Sequence, residues 1–272
     1  MFISRLLSGI VLVVIALATI ITGGPILWGL LLVISVIAFM ELSKASGIHT
    51  EGKSLNALEI AGTLGIALYY GVIYFVKDNE FAMLSVLLVL MAFMFVYVLS
   101  FPKFKANQIM AAVFSFVYAP VMLSFLYQTR ALENGIYIVW MILISSWGCD
   151  TCAYCVGMLI GKHKFAPKLS PKKSVEGAIG GVVGAAALGA LYGFLVVEKA
   201  LPDQNVVLAF AVIGAVGALI SQVGDLAASG IKRDNEIKDY GKLIPGHGGI
   251  MDRFDSVIFT APIIYFLALV ML

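Results

Sequence analysis

Ser229–Asp255 reads SGIKRDNEIKDYGKLIPGHGGIMDRFD, and it is flanked by two long apolar runs, Val206–Gly230 and Phe254–Leu272. Between Asp225 and Asp255 the chain places five bases (Lys232, Arg233, Lys238, Lys242, Arg253), His247 and six acids (Asp225, Asp234, Glu236, Asp239, Asp252, Asp255). Only 12% of the whole chain is charged, so this density is local. Each flanking run is about as long as, or longer than, the roughly 20 apolar residues that a helix needs to cross a bilayer. The charged stretch is then a loop at a membrane face. Charge gathered there is costly, and by default it is functional. Carboxylates hold hard cations such as Mg²⁺, bases pair with phosphate oxygens, and Pro245-Gly246-His247-Gly248-Gly249 lets backbone approach a ligand closely.

The rest of the chain supports the membrane reading. It is 61% hydrophobic over 272 residues, with a mean hydropathy of +1.01, which excludes an ordinary soluble domain. Nine apolar segments are expected to span: Leu6–Thr22, Pro25–Met40, Asn56–Val76, Phe81–Leu99, Ile109–Tyr127, Gly135–Ile160, Val175–Val197, Val206–Gly230 and Phe254–Leu272. The first two are short and joined at Gly23-Gly24, which predicts a tight hairpin. Arg5 before an apolar run containing Ala16-Leu17-Ala18 also fits a signal peptide, but the run is longer than a usual signal core and is read as an uncleaved first helix.

Loop charge sets the orientation. With the N-terminus inside, fifteen of the 18 Lys and Arg fall on the inner face and only Lys77, Arg130 and Lys199 on the outer. The positive-inside rule then puts the N-terminus and the loops 41–55, 100–108, 161–174 and 231–253 in the cytoplasm and the C-terminus outside. The expected fold is an all-α integral membrane protein of nine transmembrane helices, multi-pass in the cell (inner) membrane. Residues 1–272 form a single polytopic domain, with bland helices over 1–134 and the polar, catalytic part over 135–272. Basic loops favour anionic headgroups. Nothing resembles a nucleic-acid-binding module.

Polar residues concentrate in the second half. Glu59, in the first half, is read as an interfacial residue at a helix start. Asp150 sits mid-span in Trp147-Gly-Cys-Asp-Thr-Cys-Ala-Tyr154, where a carboxylate must face a polar interior or a cation. In Ser170-Pro-Lys-Lys-Ser-Val-Glu-Gly177, Ser174 is placed to cap the next helix, with Glu176 in its first turn and Lys173 beside a helix N-terminus suited to anions. Glycines spaced four apart (Gly177/Gly181, Gly180/Gly184, Gly189/Gly193) suit close helix packing, within the chain or across a dimer. Cys149, Cys152 and Cys155 are the only cysteines; an iron–sulfur cluster needs a fourth ligand, so they read as small packing residues. Asp225 and Ser229 share a helix face, with Lys232 seven residues on from Asp225, and Asp252 and Asp255 share another. With Asp150, these acids suit one or two Mg²⁺ ions in phosphoryl or nucleotidyl transfer.

Ser229-x-Ile231-Lys232-Arg233-x₄-Lys238-Asp239-x-Gly241-x₂-Ile244-Pro245-x-His247-Gly248-Gly249-Ile250-x-Asp252-Arg253-Phe254-Asp255 resembles the signature of the phosphatidate cytidylyltransferases (CDP-diacylglycerol synthases), without a departure. The similarity extends to Ser170–Gly177, to Asp150 with Ala153-Tyr154, and to Gly224-Asp225. The resemblance implies an enzyme making CDP-diacylglycerol and pyrophosphate from CTP and phosphatidic acid. It implies Mg²⁺ on a centre onto which Asp225 and Asp252 map, with Asp150 an additional member, a possible K⁺, and a homodimer. It puts Asp225, Asp252, Lys238, Asp239, His247 and Asp255 in the catalytic set, and Lys173, Ser174, Lys232, Arg233 and Arg253 in the substrate-binding set. Two other classes suit the same residues: a CTP-dependent transferase or kinase acting on an isoprenoid or ether lipid, and a secondary transporter for an anion.

Overall fold

The computed structural model describes residues 2–49, 54–202, 205–244, 246 and 248–272, with side chains from residue 9 onward. Its helices are α1 (Phe2–Thr22), followed by α2 (Gly24–Ala45), α3 (Ala57–Val76), α4 (Asn79–Leu99), α5 (Ala106–Ala131), α6 (Gly135–Ile160), α7 (Val175–Ala200), α8 (Val206–Asp234) and α9 (Met251–Met271). Eight of them, α2 to α9, are long and apolar enough to cross a bilayer, while α1 offers the shorter apolar stretch Gly9–Thr22 among the described residues. Each expected apolar segment is a helix. Between α6 and α7 lies an element the helical expectation lacks: a small antiparallel hairpin of β1 (Lys164–Ala166) and β2 (Ser170–Ser174).

The chain divides into two compact units, one of Met1–Tyr127 with Asn235–Arg253 and one of Gln128–Asp234 with Phe254–Leu272. The sequence groups the whole charged loop with the later helices; most of that loop belongs instead with the early ones.

In the first unit, Gly23 and Gly24 both take positive φ, so the α1–α2 hairpin turns where expected. α2 continues past Met40 to Ala45 and so carries Glu41 inside the helix. α3 starts on a capping box: Asn56 Oδ1 accepts from the Glu59 amide, and Glu59 Oε2 from the Asn56 amide, both at 3.0 Å. Such reciprocal caps satisfy two amides that the first turn leaves over. Glu59 thus stands at a helix start as expected, but it is buried and also meets Ser43 Oγ at 3.0 Å and His49 Nδ1 at 2.7 Å. Within the apolar bundle, Tyr70 hydroxyl meets Ser35 Oγ at 2.6 Å and Tyr69 hydroxyl meets Ser124 Oγ at 3.0 Å. Hydroxyl pairs like these join helices where lipid supplies no hydrophobic driving force.

In the second unit, small residues set the spacing of α6, α7 and α8. A Cβ on Gly177 would lie 2.7 Å from Ala153 O, and one on Gly181 2.9 Å from Cys149 Sγ, so α7 lies almost backbone to backbone on α6. A Cβ on Gly214 would likewise sit 2.6 Å from Ala185 O, closing α8 onto α7. The glycine spacing therefore packs helices within the chain. Cys149 is buried in this seam with Ala185 and Ala218, as a small packing cysteine should be.

Candidate active site

Ser174 ends β2 and caps α7, its Oγ accepting from the Gly177 amide at 3.1 Å. The hairpin is fixed to the same turn by Glu176, which accepts from the amides of Lys162 (3.1 Å) and His163 (3.2 Å) and meets His163 Nδ1 at 2.6 Å. Carboxylates are favoured at a helix N-terminus. The hairpin therefore presents its neighbours Lys172 and Lys173 at a defined place. Lys173 Nζ forms an ion pair with Asp225 Oδ2 of α8, both side chains about a quarter exposed.

Beside this pair is a cavity of about 450 Å³, lined by Asp150, Tyr154 and Met158 of α6, Lys172, Lys173 and Ser174 of the hairpin, and Gln222 of α8, among others. Gln222 is held by its Nε2, which donates to Ala178 O at 2.9 Å and to Cys149 Sγ at 3.5 Å. The lining mixes two bases, a hydroxyl, a carboxylate and an amide with apolar residues such as Met158 and Ala153. It suits an anionic headgroup carried by an apolar body.

The acids of α8 and α9 follow from another close approach. A Cβ on Gly224 would meet Asp255 O at 2.9 Å and Phe259 Cβ at 2.8 Å, so the two helices touch next to Asp225. Asp255 is thereby brought beside Asp225, and its own Oδ1 accepts from the Ser256 amide at 2.8 Å. α8 continues to Asp234, which keeps Lys232 on the helix seven residues from Asp225. Asp150, Asp225, Asp255, Lys173, Ser174 and Lys232 therefore belong to one neighbourhood of the second unit. Arg233 is in this unit too, exposed at the end of α8.

The other expected residues lie in the first unit. Asp252 is buried, and its Oδ2 accepts from the amides of Tyr240 (2.8 Å) and Gly249 (3.0 Å). Lys238, Asp239 and Arg253 are exposed, and His247 falls outside the described residues. Gly248 takes a φ of +84°, open to glycine and costly for a side chain, and its carbonyl accepts from the Ile244 amide at 2.9 Å to close the turn. Asp252 and Asp255, three residues apart, thus differ in setting: Asp252 is buried on two amides of the charged loop, while Asp255 accepts from the amide of the next residue and lies where α9 touches α8 beside Asp225.

One contact of the charged loop has no place in the sequence argument. Glu41 of α2 accepts from the amides of Ile250 (3.0 Å) and Met251 (2.9 Å), at the start of α9. The signal was available, since Glu41 is the only acid in the first fifty residues.

For Mg²⁺, the donors have the right chemistry: Asp150, Asp225 and Asp255 offer hard carboxylate oxygens. Among the described residues no group of three or more His, Cys, Asp or Glu forms a ready metal cage. Mg²⁺ rarely uses one; it is held by one or two carboxylates together with substrate phosphates and water. The residues fit a metal that binds with a nucleotide.

The cytidylyltransferase family model matches residues 3–271, essentially the full length described. This chain belongs to the cytidylyltransferase family. Among curated relatives, it is 31% identical over 269 residues to the phosphatidate cytidylyltransferase of Staphylococcus saprophyticus, covering 96% of each chain. It is 32% identical over 273 residues to that of Staphylococcus aureus, again 96% of each. For Bacillus subtilis the figures are 29% over 274 residues, with 97% of this chain and 96% of the relative. The chain is therefore a nucleotidyltransferase enzyme built from membrane helices, and the family match extends over the early helices as well as the charged loop.

Proposed function

We propose that this cytidylyltransferase is a phosphatidate cytidylyltransferase, which transfers CMP from CTP to phosphatidic acid and gives CDP-diacylglycerol and pyrophosphate. The observation that carries the reading is the cavity lined by Lys172, Lys173 and Ser174 together with Tyr154 and Met158, in a chain aligned over 96% of its length with enzymes of that name. A lipid phosphate needs both halves of such a lining.

The chemistry asks for little acid–base help. An oxygen of the phosphatidate phosphate attacks the α-phosphorus of CTP, one P–O bond forms, and the bond to the β-phosphate bridging oxygen breaks, releasing pyrophosphate. A phosphate monoester has its second pKa near 6, so the nucleophile is largely ionised at pH 7. The protein must hold several anions in line and offset their repulsion. Lys173, steadied by Asp225, and Lys172 bind phosphate; Lys232 and Arg233 supply further positive charge at the end of α8. From the charged loop, Lys238 and Arg253 are assigned to phosphate contacts. Asp150, Asp225 and Asp255 would hold Mg²⁺, which would supply positive charge to offset that of the nucleotide phosphates.

Nine spans, an inner N-terminus and an outer C-terminus follow from the distribution of Lys and Arg, which puts both substrate loops on the cytoplasmic face. A homodimer remains part of the same reading. Purified protein in lipid micelles should release pyrophosphate from CTP only when phosphatidic acid is present. Release without that lipid, or with an isoprenoid phosphate alone, would overturn the assignment. In intact cells, a single cysteine at Asn134 should react with an impermeant thiol reagent and one at Lys242 should not.

A further inference from the structure

We propose that Glu41 is the positioning residue of the charged loop: it holds the backbone at Gly241 and at Gly249–Met251, and the first turn of α9, in the conformation the reaction uses. This inference rests on the assignment as a phosphatidate cytidylyltransferase and gives the early helices a part in it.

Each carboxylate oxygen of Glu41 has its own amide, Oε1 that of Ile250 and Oε2 that of Met251. The contact joins residues 209 positions apart. The same carboxylate is wedged between two glycines. A Cβ on Gly241 would lie 2.8 Å from Glu41 Cδ, and one on Gly249 2.5 Å from it, so neither position has room for a side chain. From the loop's other side, Asp252 takes the amides of Tyr240 and Gly249. Four amides of one loop thus close on two carboxylates.

Electrostatics explains why an acid stands there. Near the C-terminal end of α2 a negative charge is disfavoured by its own helix, whose last carbonyls already carry partial negative charge. At the N-terminus of α9, where amides lack helical partners, the same charge is favoured. Glu41 is therefore placed by the loop it holds. Gln is a poor replacement: one of its two heads donates, and would face an amide that also donates.

The experiment uses full-length protein in lipid nanodiscs. Glu41→Gln should lower kcat at saturating CTP and phosphatidic acid by about tenfold, the loss of one bond to a charged acceptor. Amide exchange should speed up by a similar factor across 238–251 and stay unchanged in α3 and α4. Ser35→Ala, which breaks the Tyr70 contact in the same unit, should leave loop exchange and kcat near wild type. Gly249→Ala presses on Glu41 from the loop side and should reproduce the local defect. Wild-type loop exchange and kcat in Glu41→Gln would overturn the proposal. Should that variant fail to fold, unchanged loop exchange in Gly249→Ala would overturn it equally. Wild-type protein that makes no CDP-lipid would sink the functional assignment alone, because the exchange arm tests Glu41 without any substrate.

Discussion

The acids of the two units are the same residue types put to opposite uses. In the first unit Glu41, Glu59 and Asp252 face backbone amides at helix starts and in the charged loop. In the second, Asp225 pairs with Lys173, Asp150 lines the cavity beside that pair, and Asp255 lies where α9 touches α8 next to Asp225. A carboxylate on amides fixes backbone and has already found its donors. A carboxylate among cations and other carboxylates is poised to exchange partners when phosphate or metal arrives. Burial alone does not separate the two kinds; the partners do.

The contrast is sharpest at Asp225. Asp225→Asn should reduce CDP-lipid formation by roughly 100-fold or more, the scale of removing one preorganised electrostatic group, while the protein still inserts and elutes as wild type. Near-normal turnover in that variant would mean that the second unit's acids are structural after all.

Asp252→Asn should cost less, roughly tenfold, because the Asn oxygen can still accept from Tyr240 and Gly249 and only the charge is lost. Losses equal to those of Asp225→Asn would show that Asp252 acts directly on substrate or metal, and the division between units would fail.

Lys173→Ala removes a cation at the cavity and should lower kcat/KM for phosphatidic acid by about tenfold to 100-fold. Lys162→Ala should change it by less than about twofold, since the structure uses the Lys162 backbone amide and leaves the side chain exposed. Equal effects in a steady-state assay would erase the distinction between a binding base and a topological one. The smallest effect belongs to Cys155→Ala. Its thiol is exposed on α6, and activity within about twofold of wild type is expected; a large loss would reopen a chemical role for the three cysteines.

Much of this was legible in local sequence. Apolar runs located the helices, and the turn at Gly23-Gly24, the cap at Ser174 and the i+7 relation of Asp225 to Lys232 are local regularities. What escaped is long in sequence or carried by backbone. The apolar run ends at Met40, yet α2 continues to Ala45, and Glu41 accepts from amides 209 and 210 residues away. No side-chain pattern announces a partner that is an N–H group. The Lys-rich stretch 164–174 reads as an inner loop, and it pairs as a hairpin because Glu176 and the start of α7 hold its ends. The loop's membership with the early helices was equally invisible, because spacing along the chain ranks it with its neighbours.

The first unit is written in two instalments of the chain, Met1–Tyr127 and Asn235–Arg253. During synthesis Glu41 enters the membrane long before Ile250 and Met251 exist, so it must wait with its acceptors unfilled while α6, α7 and α8 are made. The early helices are thus the first to be inserted and the last to be completed. A chain cut between residues 134 and 135 would divide not two domains but one unfinished unit from its closing piece, and the halves would have to be made together for Glu41 to meet its amides.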